Sequence, residues 1–337
     1  MRIEIQAVVA PATTARGTTI QTKWRFTIEL SHRAARAPAR SRVRLRAMAG
    51  QERVGELLDW ATRLLEQAGL AYGHGTANAR DDAAALVFHA LRLRHDSAPG
   101  SYRRVVPAAG RRRVATLLRR RIEERLPSAY LTGATWFAGH EFRVTRDVLV
   151  PRSPIAELCL NSFEPWIDAT RVRRVLDIGT GSGCIAIAAA HALPQARVDA
   201  TDVSLRALAL ARLNVRRHRL GRRVKVLRSD VYGALRGRRY DIIVSNPPYV
   251  PSAELRRLPP EYHTEPRLGL QASRNGLAII ARILSGARRH LEPQGILVVE
   301  TGDTERAVRR RWPSLPFTWL EFEHGGGGVF LLNANQL

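Results

Sequence analysis

Lysine and cysteine are scarce in this chain of 337 residues. Lys23 and Lys225 are the only lysines, so arginine carries almost all of the positive charge behind a formal net charge of +24. The only cysteines are Cys159 and Cys184, and their spacing matches no zinc motif. These counts argue against a disulfide-stabilised secreted scaffold and predict a protein of a reducing compartment with no metal site.

Long apolar runs are also missing. No stretch is long and apolar enough to cross a bilayer or to act as a secretory signal. We therefore expect a cytoplasmic protein with no membrane partner. The positive charge favours polyanionic partners, although the base composition of a GC-rich genome also produces arginine in place of lysine, and most arginine runs form solvated helix faces.

The chain divides into four segments by composition. Residues 1–47 hold ten basic and two acidic residues without a helical apolar stripe, and we predict them to be disordered. This extension has three alternative explanations. The start site is assigned upstream of the one that the gene uses at Met48, or the extension is a basic arm that binds RNA, or it is an organellar transit peptide. Residues 48–128 predict a small helical domain, because apolar residues recur at helical spacing in three stretches, at 54–68, 82–93 and 111–126. Residues 129–170 predict a linker with a β-hairpin at 136–149, and residues 171–337 predict a catalytic α/β domain.

Alternating glycines interrupt the apolar stretch at 174–188. The residues before them predict a buried strand and those after them a helix, so Gly179, Gly181 and Gly183 form the connecting turn. Glycines let backbone N–H groups approach a ligand closely, and Asp177 at the strand end can hold an ammonium group. The spacing matches neither the dinucleotide-binding nor the Walker pattern, which disfavours nicotinamide cofactors and nucleoside triphosphates.

Acidic residues follow two further predicted strands. Asp202 ends the strand at 196–202, about 20 residues after the glycines, where a carboxylate commonly binds ribose hydroxyls. Asp230 follows the strand that begins at Val224 and is placed to accept from an adenine amino group. Each has a plainer interpretation, Asp202 as a solvated surface acid and Asp230 as a helix N-cap.

The Asn-Pro-Pro-Tyr stretch at 246–249 follows the apolar strand predicted at 240–245. It therefore lies at the carboxyl end of a strand, where open α/β sheets bind their ligands. Asn246 offers an amide oxygen, and the carbonyl of Pro247 is held rigid between two prolines. Two such acceptors can orient a planar NH2 group, and the ring of Tyr249 can cover it. A simple Pro-Pro turn is the alternative for this motif alone.

The order and spacing of these residues resemble the S-adenosyl-L-methionine-dependent methyltransferases of the seven-stranded Rossmann-like fold. The resemblance implies an α/β fold, preceded here by the small helical domain and the β-hairpin linker. It also implies that the helical domain at 48–128 binds the substrate. It implies S-adenosyl-L-methionine as the cofactor, bound by Asp177, Gly179, Gly181, Gly183, Asp202, Asp230 and Asn246. It implies catalysis by Asn246, Pro247 and Tyr249.

Two more stretches narrow the family. Residues 149–157 and 261–270 are similar to the HemK/PrmC-like protein glutamine-N(5) methyltransferases, and the likeness extends from about residue 48 to the end. Release-factor members typically carry Pro-Arg-Pro, whereas Pro-Arg-Ser-Pro-Ile at 151–155 resembles the PrmB branch, which methylates a glutamine of large-subunit ribosomal protein L-three. The sequence departs from that branch at His263-Thr264, where Arg-His is usual.

This resemblance implies ribosomal protein L-three as the protein substrate, and the positive charge fits contact with ribosomal RNA or the assembling large subunit. A release-factor glutamine methyltransferase remains an alternative within the family. An adenine N-methyltransferase of RNA or DNA would share the catalytic turn, but it predicts a base-stacking domain, and aromatic residues make up only 6% of the chain. A non-catalytic ribosome-assembly binder would keep the fold without needing the acids and Asn246.

Overall fold

The computed structural model describes residues 53–94, 99–272, 276–323 and 325–337, together with four short strands nearer the N-terminus. These strands are β1 (Arg2–Glu4), β2 (Ala12–Thr13), β3 (Thr19–Ile20) and β4 (Thr27–Glu29). The predicted disorder of residues 1–47 falls largely outside the described residues and stays a prediction.

Contacts divide the chain into two units. From residue 53 onward, the first unit comprises the chain up to Ala134 together with Pro259–Thr264. The second comprises Thr135–Leu258 and Glu265–Leu337. The segment Pro259–Thr264 therefore belongs to the first unit, although the chain on both sides of it belongs to the second.

The first unit is helical, as the apolar spacing predicts. Its helices are α1 (Val54–Gln67), α2 (Ala79–Leu91), α3 (Ala108–Glu123) and α4 (Ser128–Thr132). Helix α1 ends just before Gly69, which has a φ of 58° and so takes the left-handed conformation that favours glycine. Helix α2 begins three residues earlier than its apolar pattern predicts, because the side chain of Asn78 accepts a hydrogen bond from Asp81 N at 2.9 Å and caps the helix there.

A buried ionic network crosses the first unit. The Arg121 side chain is only 1% exposed, and its Nε lies 2.6 Å from Asp82 Oδ2. Its Nη1 lies 3.5 Å from Glu261 Oε1, which Arg125 also approaches, to 3.3 Å. Buried charges are tolerated when they are paired in this way. Glu261 thus fixes the segment Pro259–Thr264 within the helical unit.

The second unit combines a hairpin with a seven-stranded sheet and its helices. Its strands are β5 (Ala134–Phe137), β6 (His140–Arg143), β7 (Arg174–Ile178), β8 (Arg197–Asp202), β9 (Val224–Arg228), β10 (Tyr240–Ser245), β11 (Leu291–Glu300), β12 (Thr318–Trp319) and β13 (Val329–Asn333). Its helices are α5 (Ile155–Leu160), α6 (Cys184–Ala192), α7 (Leu205–Arg217), α8 (Ser252–Leu255), α9 (Arg267–Leu270), α10 (Ala278–His290) and α11 (Glu305–Arg311). Among the helices of the described residues, none has the length and hydropathy needed to cross a membrane.

The sheet has the strand order β12-β13-β11-β10-β7-β8-β9. The five strands from β11 to β9 are parallel, whereas β13 runs antiparallel to β11 and β12 antiparallel to β13. The chain starts the sheet at β7 and later returns to its other side with β10. The order therefore reverses between β7 and β10, and such a reversal opens a crevice at the carboxyl ends of the strands.

Both faces of the sheet are covered by apolar side chains, which explains why the parallel strands read as continuous apolar runs. Successive residues point to opposite faces: Val175 packs in the cluster formed with α5 and α6, and Leu176 in the cluster formed with α10. The hairpin contributes Phe137 and Phe142 to the first of these clusters. This three-layer arrangement confirms the predicted fold class.

Candidate active site

The candidate site lies where the strand order reverses. Ile178 at the end of β7 pairs with Ser245 at the end of β10, and the Ser245 hydroxyl donates to the Ile178 carbonyl at 2.7 Å. The next residues along the two strands are Gly179 and Asn246. Since paired strands lie about 4.8 Å apart, the glycine turn and the Asn-Pro-Pro-Tyr stretch leave the sheet side by side.

The glycine turn leaves open space above the strand ends. Gly179 and Gly181 have φ values of 75° and 56°, and a Cβ atom built on either meets no atom within 4 Å. Gly183 differs, because its Cβ would lie 3.3 Å from Ala211 Cβ, so here the missing side chain allows α6 and α7 to pack closely. The open space at the first two glycines fits the backbone approach that a nucleoside-bearing cofactor requires.

Asp177 is fully buried beneath the glycine turn. Its Oδ2 accepts from the Thr180 hydroxyl and from Ala186 N. Burial raises the pKa of Asp177 to about 7, because a carboxylate removed from water loses solvation. Within the described residues its Oδ1 is buried and has no hydrogen-bond partner. An orphaned oxygen of this kind suits an incoming donor such as an ammonium group, so the residue fits the predicted cofactor role.

The two other acids have different surroundings. Asp202 accepts from Gly181 N at 3.0 Å and from Ser204 N at 2.8 Å, so the glycine turn itself orients the carboxylate, and burial raises its pKa. Asp230 lies exposed, with Oδ2 paired to Arg282 at 2.8 Å. That ion pair was not visible in the sequence, and it leaves only the other oxygen of Asp230 for an adenine amino group.

Asn246 and Pro247 form the turn after β10. The Asn246 side chain is half-buried, and within the part of the chain that the structure describes its amide makes no hydrogen bond. Pro247 is buried, so its ring fixes the backbone that carries the second predicted acceptor. An unpartnered amide on a rigid turn beside the open glycine turn has the properties expected of a group that orients a substrate.

Tyr249 is held at both its ring and its hydroxyl. The hydroxyl donates to Glu300 Oε1 at 2.9 Å, and the ring packs on Gly302, where a Cβ would collide with it. The other oxygen of Glu300 accepts from the Ser153 hydroxyl. Burial raises the pKa of Glu300 to about 7 and the pKa of Tyr249 well above its usual value. The tyrosine is therefore a fixed wall of the site, not a mobile side chain.

The two stretches that suggested the family meet in the structure. Arg152, from the Pro-Arg-Ser-Pro-Ile stretch, donates to both oxygens of Glu265, at 2.8 and 2.6 Å. Val150 N also donates to Glu265 Oε1, at 3.1 Å. Because Ser153 reaches Glu300 one residue further on, the stretch at 151–155 supports the segment around Glu265 and the wall formed by Tyr249.

Glu300 is the functional candidate that the sequence reasoning missed. It ends β11, pairs with Val329 and follows the buried apolar residues 296–299. An acid at the end of an apolar strand is the same pattern that identified Asp177 and Asp202, so the signal was present in the sequence.

The chain matches two family models and several curated proteins. The Methyltransferase small domain model matches residues 158–257, and the PrmC N-terminal domain model matches residues 56–133. The ribosomal protein uL3 glutamine methyltransferase of Xanthomonas campestris is 45% identical over 84% of this chain and 91% of its own length. The protein of the same name from Neisseria meningitidis is 42% identical over 84% of this chain and 94% of its own. Among solved structures, TrmN from Thermus thermophilus is 26% identical over 54% of this chain and 49% of that one, with a TM-score of 0.39.

These similarities confirm what the sequence motifs predicted about the family, methyl transfer and the cofactor. They cover both the helical unit and the sheet unit and extend over nearly the whole length of the curated relatives. The chain therefore belongs to the protein glutamine methyltransferase family of these relatives, and it is an S-adenosyl-L-methionine-dependent enzyme.

Proposed function

We propose that this enzyme transfers a methyl group to the side-chain amide nitrogen of a glutamine in ribosomal protein uL3, the large-subunit protein L-three. The observation that carries the proposal is the unpartnered amide of Asn246, which leaves the sheet beside the glycine turn. Relatives named for uL3 glutamine methylation, at 42% to 45% identity, support the choice of substrate. Pro-Arg-Ser-Pro-Ile at 151–155 supports it as well, because this form of the stretch resembles the branch that methylates L-three rather than release factors.

The chemistry requires an amide nitrogen to act as a nucleophile. Bound S-adenosyl-L-methionine supplies an electrophilic methyl carbon on a sulfonium. The amide is a poor nucleophile because its lone pair is delocalised into the carbonyl. The Asn246 side-chain oxygen and the Pro247 carbonyl accept hydrogen bonds from its NH2 group, which favours the lone pair on nitrogen and fixes its direction.

Transfer forms a nitrogen–carbon bond as the carbon–sulfur bond breaks, and the nitrogen then loses one proton to water. No strong base is needed, since the nitrogen becomes acidic only as it gains the methyl group. Holding the reacting atoms at about 3–3.5 Å in line can supply on the order of 7–11 kcal/mol of the barrier. In this proposal positioning by Asn246 and Pro247 is the main contribution of the protein.

Cofactor binding falls to the residues around the glycine turn. Asp202 would accept from the ribose hydroxyls, and Asp177 Oδ1 from the ammonium group. Gly179 and Gly181 admit the cofactor through their open space, while Asp230 offers one oxygen toward an adenine amino group. Tyr249 covers the reacting amide with its ring, which Glu300 holds in place through the tyrosine hydroxyl.

The location and partners follow from this substrate. Ribosomal proteins are made in the cytoplasm, so the proposal places the enzyme there. The positive charge of the chain would raise the rate of encounter with ribosomal RNA on an assembling large subunit.

Transfer of labelled methyl groups in a cell lysate tests the substrate without assuming it. Purified enzyme is incubated with methyl-labelled S-adenosyl-L-methionine and lysate from a strain that lacks the enzyme. We expect one labelled protein band, identified by mass spectrometry as uL3. Label on RNA, or on a release factor in place of uL3, would contradict the proposed substrate.

A further inference from the structure

Three histidines meet on the surface of the sheet unit, away from the glycine turn. His140 begins β6, His191 lies in the last turn of α6, and His218 caps the end of α7. Each offers one ring nitrogen, and these nitrogens lie within 4.8 Å of one another. The methyl-transfer chemistry uses none of them.

The geometry points to a zinc site: we propose that His140, His191 and His218 bind one Zn²⁺ ion. His191 Nε2 lies 3.3 Å from His218 Nδ1, in a hydrogen bond that a bound ion would replace. Two ligand nitrogens in a tetrahedral site with bonds of about 2.0–2.1 Å are separated by roughly 3.3–3.4 Å. This pair is therefore already spaced for one metal ion.

The protein also orients the His218 ring for such a role. His218 Nε2 lies 3.0 Å from the Glu141 carbonyl, a contact in which the nitrogen must donate. The proton therefore sits on Nε2, and Nδ1 presents its lone pair toward His191. Histidine ligands of metal ions commonly donate their second nitrogen to a carbonyl in this way, which fixes the tautomer.

His140 needs a small movement to join the other two. Its ring now stacks on His191, with centroids 4.3 Å apart and planes inclined by 22°. Stacked rings do not aim their lone pairs at one point, so the His140 side chain must turn about its Cα–Cβ bond. The residue is only partly buried, which leaves room for this rotation. The fourth coordination position would be filled by water.

Burial favours the neutral form of the three imidazoles. Burial lowers the pKa of all three, and the neighbouring histidines and Arg223 help to lower that of His191 to about 4. Neutral imidazole is the form that binds metal. Arg217, which pairs with Glu141 at 3.2 Å, and Arg223 also repel a dication, so we expect weaker binding than at a buried structural zinc site.

The site would join three elements of the sheet unit. A bound ion would link the hairpin to the ends of α6 and α7, the two helices that Gly183 allows to pack together. The sequence predicted no metal site, because its two cysteines have no zinc-motif spacing and the three histidines are far apart in the chain.

The zinc content of the purified protein tests the proposal directly. The protein, prepared without a polyhistidine tag, is equilibrated with excess ZnCl2 and then dialysed. The zinc that stays bound is quantified by elemental mass spectrometry. The wild type should retain about one ion per chain and gain thermal stability with zinc. His140→Gln/His191→Gln should retain at least tenfold less, while His89→Gln, on α2 of the helical unit, should match the wild type.

Circular dichroism of each variant without metal establishes that it is folded, and calorimetry with S-adenosylhomocysteine should give unchanged affinity, since the cluster is distinct from the glycine turn. If the double variant proves unfolded, His191→Gln alone serves, because this residue is exposed. The inference is overturned if the wild type retains no zinc, or if a folded cluster variant retains as much as the wild type.

Discussion

Arg152 and Glu265 bind each other through two parallel hydrogen bonds, although 113 positions separate them in the chain. The Glu265 side chain is fully buried and that of Arg152 is 24% exposed. A bidentate guanidinium–carboxylate pair combines charge with fixed geometry. It thereby joins the segment before the sheet to the segment that follows the Asn-Pro-Pro-Tyr turn.

Loss of Arg152 should destabilise the protein strongly. Arg152→Met removes the guanidinium that binds both oxygens of the buried Glu265 carboxylate, which should lower the free energy of unfolding by about 3 kcal/mol. Glu265→Gln added to this variant removes the stranded charge and should restore part of the loss. Urea unfolding of both variants and of Glu265→Gln alone gives the coupling between the residues, and additive effects would show that the pair is not a unit.

Cofactor binding should depend on the open glycine turn and on Asp202. Gly181→Val places a side chain in the open space, and Asp202→Ala removes the ribose acceptor, so each should abolish binding of S-adenosylhomocysteine in calorimetry. Gly69→Val is a matched control, because Gly69 has a φ of 58° and is equally open but lies in the helical unit. It should bind like the wild type. Unchanged affinity in both Gly181→Val and Asp202→Ala would remove the assigned cofactor site.

Asn246 should act on turnover and not on cofactor affinity. Asn246→Ala removes an acceptor that orients the amide, and positioned polar groups at a reacting centre typically contribute on the order of 100-fold to 1000-fold. We expect turnover to fall by at least about 100-fold while S-adenosylhomocysteine affinity stays within a few-fold of the wild type. Turnover that persists in a variant with normal affinity would refute the role of this amide.

Glu300 should make stability depend on pH. Burial raises its pKa from 4.5 to about 7, so its contribution is fully present below pH 4.5 and is lost as pH rises through about 7. The unfolding free energy of the wild type minus that of Glu300→Gln should therefore fall by about 3 kcal/mol between pH 4.5 and 8. Asp177 is present in both proteins and cancels in this difference. A difference that is constant with pH would contradict the raised pKa.

Local sequence patterns predicted both the first and the last residue of some elements. Strand β10 (Tyr240–Ser245) was expected at 240–245, because a buried apolar run ends abruptly at two prolines. The hairpin was expected to extend to residue 149, yet β6 ends at Arg143. There the backbone N–H and carbonyl of Arg143 bond to the side chain of Asn214 on α7. A helix 71 positions away thus replaces the strand partner, which no local pattern could indicate.

The candidate site was also only partly predictable from local sequence patterns. The strand-end positions of Asp177, Asp202 and Asn246 followed from apolar periodicity alone. The pairing of Asp230 with Arg282 and of Tyr249 with Glu300 depends on which strands and helices become neighbours. The sequence therefore indicates which groups leave the sheet edge, but not which partners hold them.

Methylation of purified uL3 tests the central claim most directly. A chain beginning at Met48 is incubated with S-adenosyl-L-methionine and, separately, with unmethylated uL3 or release factor, and the products are mapped by peptide mass spectrometry. We predict one methyl group on a glutamine side chain of uL3 and an unmodified release factor. Asn246→Ala should methylate uL3 at least about 100-fold more slowly than the wild type. Methylation of the release-factor glutamine with none on uL3 would contradict this account.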